Sequence, residues 1–444
     1  MILVSILAFV FAVGLLVTIH EFGHYIVGRY CGMKVLRFSV GFGKPIYSKI
    51  AGKDQTEYCL SMIPLGGYVQ FLDDRNDVID SEDEGRAFNH RPISSRVAVL
   101  LAGPAFNFLF AIFAYFIIFS NGIMTIKPVI GEIVDNSYAA DAGLDYGDRI
   151  LKIDDQVVDD WESAITSILM TVAHKREIIF QVEKQNKSTQ SIVLMIEGDT
   201  SLLTEPGALF KGLGFYPWQP PALIGKVLSG GAASKAGLMV GDRILSIDNI
   251  EVNSFMDLRN IIADKPGQLV LIKYKRGDFN YWTDAQLSHT QENEPKGILG
   301  VALDGNYEQF WYLNKFEPID AFSESLKETW ASTSFTVIMF TKMLTGDVSS
   351  KNISGPFSIA KYAGISAVAG LNQFLKFLAL ISISLGVINL LPIPMLDGGQ
   401  IVYQTLEWIK GSQLSAGFQL LGQQFGIMIL LLLMGMAFYN DLFN

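Results

Sequence analysis

Charge is scarce in this 444-residue chain: Asp, Glu, Lys and Arg make up 18% of it, against about a quarter in soluble domains. Apolar and aromatic residues supply 50%. Histidine occurs five times and cysteine twice. Cys31 and Cys59 cannot build a disulfide framework or a four-thiolate zinc site. The net charge of −10 argues against a nucleic-acid partner, and the apolar content against disorder. What is left is a membrane protein with sizeable soluble parts.

What the chain has in plenty is uninterrupted apolar sequence. Crossing a bilayer takes about 20 such residues. Residues 1–19 form one run, which continues past His20, Glu21 and His24 to residue 28; the others are 97–126, 377–396 and 412–440. The first run lacks a basic n-region and a small-residue cleavage site, so it does not read as a signal peptide. Four crossings of the lipid bilayer put both termini on one side. Basic residues choose that side. Arg29, Lys34, Arg37, Lys44, Lys49, Lys53, Arg86, Arg91 and Arg96 lie between the first two runs, and Lys410 between the last two. Those loops read as cytoplasmic, and the termini and residues 127–376 as outside. The acidic run Asp73, Asp74, Asp77, Asp80, Glu82, Asp83, Glu84 reads as a solvated cytoplasmic loop.

The outer segment repeats itself with a period near 94 residues. Gly131-Glu-Ile-Val, Ala142-Gly-Leu144 and Gly147-Asp-Arg-Ile150 return as Gly225-Lys-Val-Leu, Ala236-Gly-Leu238 and Gly241-Asp-Arg-Ile244, and Ile153-Asp154 returns as Ile247-Asp248. So long a period means tandem domains, not solenoid units. Each copy resembles a PDZ domain. That likeness implies carboxylate-binding loops at Gly212, Leu213, Gly214 and Phe215 and at Ile298, Leu299, Gly300 and Val301. Backbone N–H groups would converge there on a peptide C-terminus. Such domains also serve as steric covers.

His20-Glu21-Phe22-Gly23-His24 carries the chemistry. Four residues apart on a helix, two imidazoles share a face and can bind one metal ion, with Glu21 beside them as general base. Zinc suits imidazole ligands. Ionisable residues in an apolar crossing point to function. The third ligand is expected at Asp397, in Asn389-Leu-Leu-Pro-Ile-Pro-Met-Leu-Asp397-Gly-Gly399, because the first and third crossings run in the same direction and end on the same side. Pro392 and Pro394 break the helix, and Gly398-Gly399 is expected to turn the chain toward the metal.

The two motifs and the domain order resemble the site-2 protease family of intramembrane zinc metalloproteases. The resemblance implies His20, His24 and Asp397 as ligands of one zinc ion and Glu21 as catalytic base. It implies cleavage of a single-span substrate, typically an anti-sigma factor already trimmed on its outer side, with signal-peptide remnants a second class. A bacterial inner-membrane location goes with it. The segment around Gly66, Gly67, Tyr68 and Val69 is similar to a re-entrant β structure of the family that binds substrate. Asn389 is assigned substrate contact, and Asn107, in Gly103-Pro104-Ala105-Phe106-Asn107, reads as touching either substrate or another crossing. The competing reading is a non-proteolytic PDZ membrane adaptor with a structural zinc site.

The expected architecture is a polytopic α-helical membrane protein with four transmembrane helices. It adds a membrane-associated β-hairpin region and two tandem PDZ domains of α+β type between helices 2 and 3. The expected divisions are helix 1 with the zinc motif (1–30), a cytoplasmic and re-entrant β region (31–96), helix 2 (97–126), the PDZ domains (127–219 and 220–308), an amphipathic connector (309–370), helix 3 (371–396), a cytoplasmic loop with the ligand Asp397 (397–411) and helix 4 (412–440).

Overall fold

A computed structural model describes residues 2–443 except 76–78, 81–82, 291–294, 304–306 and 308–309. It divides into two compact units, one of Met1–Ile123, Asp199–Pro206 and Leu313–Asn444, the other of Met124–Gly198 and Gly207–Tyr312.

The first unit opens with α1 (Ile2–Tyr30), the antiparallel hairpin β1 (Val35–Ala51) and β2 (Thr56–Phe71), and α2 (Ile93–Asn121). It resumes with α8 (Pro318–Thr345), α9 (Pro356–Ala369), α10 (Leu371–Asn389), α11 (Asp397–Lys410) and α12 (Ala416–Phe443). Among the described residues, α1, α2, α10 and α12 are the helices long and apolar enough to cross a membrane. α1 and α2 meet through small residues: a Cβ on Gly23 would lie 2.4 Å from the Ala102 carbonyl oxygen. On its other side α2 packs on α10, where Tyr115, Ile118 and Phe119 meet Ala379, Ile383 and Val387.

The helices of the expected connector pack on the membrane helices. α8 lies against α2 and α9 against α1. Ala321, Ser325 and Thr329 are the buried residues of α8, at four-residue spacing, and this narrow stripe admits a close neighbour. Their hydroxyls are satisfied within the helix, Ser325 donating to Phe322 O and Thr329 to Ser325 O. On α9, Gly364 abuts Ser5 so closely that a Cβ would overlap its hydroxyl.

Two further expectations change. Residues 397–410 form a helix, not a loop. Its inner face includes Glu407, 5% exposed, which accepts from Arg96 Nη1 of α2 at 2.9 Å and from the Leu414 N–H. The acidic run is partly structural as well: Asp83 is buried and pairs with Lys34 and Arg86, while Asp77 and Glu82 lie outside the described residues.

The second unit carries the repeat. The first copy contains β4 (Ile130–Ile133), α3 (Tyr138–Ala142), β5 (Arg149–Ile153), β6 (Gln156–Val157), α4 (Trp161–Val172), β7 (Glu177–Glu183), β8 (Thr189–Met195), α5 (Ala208–Leu213) and β9 (Phe215–Pro217). The second contains β10 (Ile224–Val227), α6 (Ala232–Lys235), β11 (Arg243–Ile247), β12 (Ile250–Glu251), α7 (Phe255–Ala263), β13 (Leu269–Arg276), β14 (Phe279–Gln286), β15 (Ser288–His289), β16 (Gly297–Ile298) and β17 (Val301–Leu303). β3 (Ile123–Ile126) and β18 (Trp311–Asn314) bracket the pair. The sheets match strand for strand, β6-β5-β7-β8 against β12-β11-β13-β14, and β4-β9 against β10-β17.

The Gly-Asp-Arg motif is architectural. Asp148 and Asp242 are buried, each accepts a backbone N–H from its own turn, from Asp145 and Met239, and each pairs with a cation from the end of the next long strand, Lys184 or Arg276. Asp154 and Asp248 adopt positive φ at the following turn and accept from Ile179 and Leu271.

The Arg96–Glu407 pair generates a prediction. Glu407→Leu strands a buried guanidinium and is expected to cost about 3–5 kcal/mol. Thermal unfolding in detergent reads this as a lowered midpoint, and adding Arg96→Met recovers most of it.

Candidate metal centre

α1 presents His20 and His24 on one face, both buried, with ring centroids 4.8 Å apart. Their Nε2 atoms are 3.1 Å apart. Asp397, the first residue of α11, brings Oδ2 to 3.1 Å from His20 Nε2 and 3.5 Å from His24 Nε2. One ligand atom from each of the three residues falls within 4.8 Å of the others. His24 Nδ1–H donates to the Val99 carbonyl of α2 at 2.7 Å, so its Nε2 carries the lone pair. Asp397 Oδ2 is buried and has no well-aligned hydrogen-bond donor. Electron-rich atoms crowded together away from water call for a cation.

Gly103 on α2 completes the cradle. A Cβ there would stand 2.4 Å from His24 Nε2 and 2.7 Å from His20 Nε2, in the space an ion needs. One residue on, Pro104 lacks the N–H that would close the bond to the carbonyl of residue 100, loosening α2 on the turn that faces the imidazoles. Two nitrogen donors and one carboxylate are the donor set of an open catalytic zinc site.

Glu21 is half-buried beside the cluster and accepts the Val69 backbone N–H of β2. Gly67 lies so close that a Cβ would be 3.2 Å from Glu21 Cγ. Gly66 has φ +127° and faces the Phe42 ring, which stacks on Tyr68 at 6.3 Å. Tyr68 accepts from Arg37 at 3.1 Å. Asn389 ends α10, half-buried, with no side-chain hydrogen bond to a described residue. Asn107 is fully buried on α2 and reaches His20 Nδ1 at 3.2 Å. Gly398 and Gly399 do not turn the chain; they begin α11, where a Cβ would sit 2.2 Å from Leu390 O or 2.1 Å from Ile393 O. They let the broken segment 390–396 fold tightly onto the helix that carries Asp397. In the sequence Gly103 is signalled only as a small residue in the motif that ends at Asn107, and Val99 not at all, since only the close packing of α1 on α2 creates their roles.

The sequence pattern of peptidase family M50 matches residues 8–433. The chain belongs to that family. It is a site-2 type metallopeptidase, a hydrolase. Similar M50 chains include the regulator of sigma-E protease RseP of Salmonella typhimurium, 36% identical over 99% of this chain and 98% of its own. The regulator of sigma E protease of Haemophilus influenzae is 37% identical over 98% of each. RseP of Escherichia coli is 35% identical over 98% and 97%. Among solved structures, the PDZ domain of an SdrC-like protein from Listeria monocytogenes aligns with 20% of this chain and 92% of its own, at 26% identity and TM-score 0.18.

The M50 chain treats its two glycine loops differently. Gly212 and Leu213 lie in α5, Gly214 caps it, and the Gly214 N–H is taken by Phe210 O. Phe210 packs edge-on against Trp161 of α4 and Phe215 of β9, ring centroids 5.6 and 5.7 Å away. The space between α4 and β9 is thus filled from within. Between α7 and β17 it is open: a groove of about 510 Å³ runs past Leu258, Arg259, Ile262, Lys296 and residues 298–301. The Gly300 N–H has no partner among the described residues.

Gly103→Ala is expected to purify with little metal by elemental analysis. Gly14→Ala, with nothing within 4 Å of its Cβ, keeps wild-type metal content.

Proposed function

We propose that this chain is a zinc-dependent intramembrane endopeptidase of the bacterial inner membrane. It cuts single-span substrates of the anti-sigma-factor type after their outer portion has been trimmed. The observation that carries the reading is the convergence of Asp397, at the head of α11, on His20 and His24 beside Glu21, in a helix long and apolar enough to span a bilayer. The sigma-E regulators among its relatives support the substrate class.

One zinc ion held by His20, His24 and Asp397 would supply Lewis acidity toward water and the scissile carbonyl. Glu21 takes the proton of the attacking water and returns it to the leaving amine. A transmembrane helix must unwind before its peptide bonds are accessible. Among the described residues, 67–71 of β2 pair with β1 residues 35–40 on one side only, which leaves an edge for an extended substrate next to Glu21. The hairpin exposes Phe42, Ile46, Tyr47, Ile50, Met62 and Ile63, an apolar set suited to lipid. Asn389 and residues 66–69 are assigned to substrate backbone.

Both termini and the repeated unit lie on the outer side, as the basic loops imply. The two repeats act as tandem PDZ domains that exclude substrates with bulky outer portions. The second also binds a free C-terminus, its Gly300 amide and the cations Arg259 and Lys296 receiving the carboxylate.

The test is cleavage of a reconstituted single-span substrate in short and long outer versions. The short form is cut and the long form spared. Glu21→Gln loses about 100-fold or more in rate while holding its zinc. Equal cleavage by the mutant removes Glu21 from the mechanism. Cleavage of neither form by the zinc-loaded wild type would favour the adaptor. A labelled peptide with a free carboxyl end binds wild type and weakens about tenfold in Arg259→Glu, a change of about 1.4 kcal/mol. Amidating the peptide has the same effect.

A further inference from the structure

One buried side chain in the metal centre has only half its hydrogen bonds. Asn107 has no exposed surface, its Nδ2 lies 3.2 Å from His20 Nδ1, and its Oδ1 has no partner among the described residues. A neutral imidazole carries a single N–H. A metal needs the Nε2 lone pair, which places the ring's single hydrogen on Nδ1, the atom that faces the Asn107 amide.

The two ligands differ in what stands behind them. Behind His24 is the Val99 carbonyl, which only accepts, so that ring has one tautomer with or without a metal. Behind His20 is a carboxamide, which accepts through one atom and donates through the other. Half a turn about its Cβ–Cγ bond exchanges Oδ1 and Nδ2 at His20 Nδ1. The Asn107 backbone stays put during that exchange, since Ser382 of α10 donates to its carbonyl at 2.9 Å. Gly103 lies one turn earlier on the same face of α2, leaving the space for the ion that Asn107 serves from behind.

We propose that Asn107 is the positioning residue of His20: its amide oxygen accepts the Nδ1–H and holds Nε2 ready for the metal. The inference rests on the metal-binding reading of His20, His24 and Asp397. Partners of this kind typically contribute about 10- to 100-fold to metal affinity.

The experiment uses the full-length chain in detergent, stripped with chelator and titrated with Zn2+ against a chromophoric competitor. Asn107→Leu, which keeps the bulk but has no acceptor, is expected to bind zinc about 10- to 100-fold more weakly. Asn107→Asp keeps the acceptor and restores affinity to within a few-fold of wild type. 15N spectra of labelled histidine give the second readout: with zinc bound, wild type shows two protected Nδ1–H signals, one from each ligand ring, and Asn107→Leu loses one of them. Should the leucine variant not fold, Asn107→Ala repeats the test. Zinc affinity unchanged in both acceptor-free variants overturns the inference, as does failure of Asn107→Asp to restore it. If His20→Ala and His24→Ala also keep wild-type zinc affinity, the metal reading itself falls. If those two lose zinc while Asn107→Leu does not, only the role of Asn107 falls.

Discussion

Three atoms with lone pairs, two from imidazoles and one from a carboxylate, stand within 4.8 Å of each other inside an apolar helical unit. Such a cluster is costly unless a cation fills it, and the surrounding structure is arranged to hold it. Gly23 and Ala102 bring α1 and α2 into contact, Gly103 vacates the space between the ligands, and Val99 fixes one ring. The break after α10 lets the chain step aside beside His24, and two glycines let α11 start hard against that break so that Asp397 heads it. Glu407 and Arg96 fasten the far end of α11 to α2, so the third ligand is borne by a helix fixed at both ends.

Much of this could be read from the sequence. The i, i+4 histidines name a helix face by spacing alone, and counting crossings places Asp397 at their depth. The internal repeat and its turns are local patterns, carried by residues such as Asp148 and Asp242 whose partners recur in each copy. What stayed hidden depends on neighbours far along the chain. Residues 397–410 look like a loop because the glycines at their start are usually turn formers, whereas here they allow close approach at a helix start. The packing of α8 and α9 is not legible because the residues that carry it, Ala321, Ser325, Thr329, Ala363 and Gly364, are small or polar. Asn107 showed itself as a residue of interest, but its partner was open until α1 and α2 were brought together.

The repeats also show how one sequence pattern supports two different surfaces. The turns, buried aspartates and sheet order are shared, and divergence is concentrated in the segment before each glycine loop. In the first copy that segment is α5, which inserts Phe210 against Trp161 and uses the Gly214 amide; in the second the same space is a groove with an unengaged Gly300 amide.

On the proposed reading, a groove filled by its own chain leaves each molecule with a single seat among its two repeats for a peptide end. Joining two such ends with a linker therefore creates no second intramolecular contact, and the apparent affinity of the joined ligand for an isolated molecule stays near that of one end. Any large gain from linking has to come from two molecules side by side in the same membrane patch, which makes a bivalent peptide a gauge of self-association.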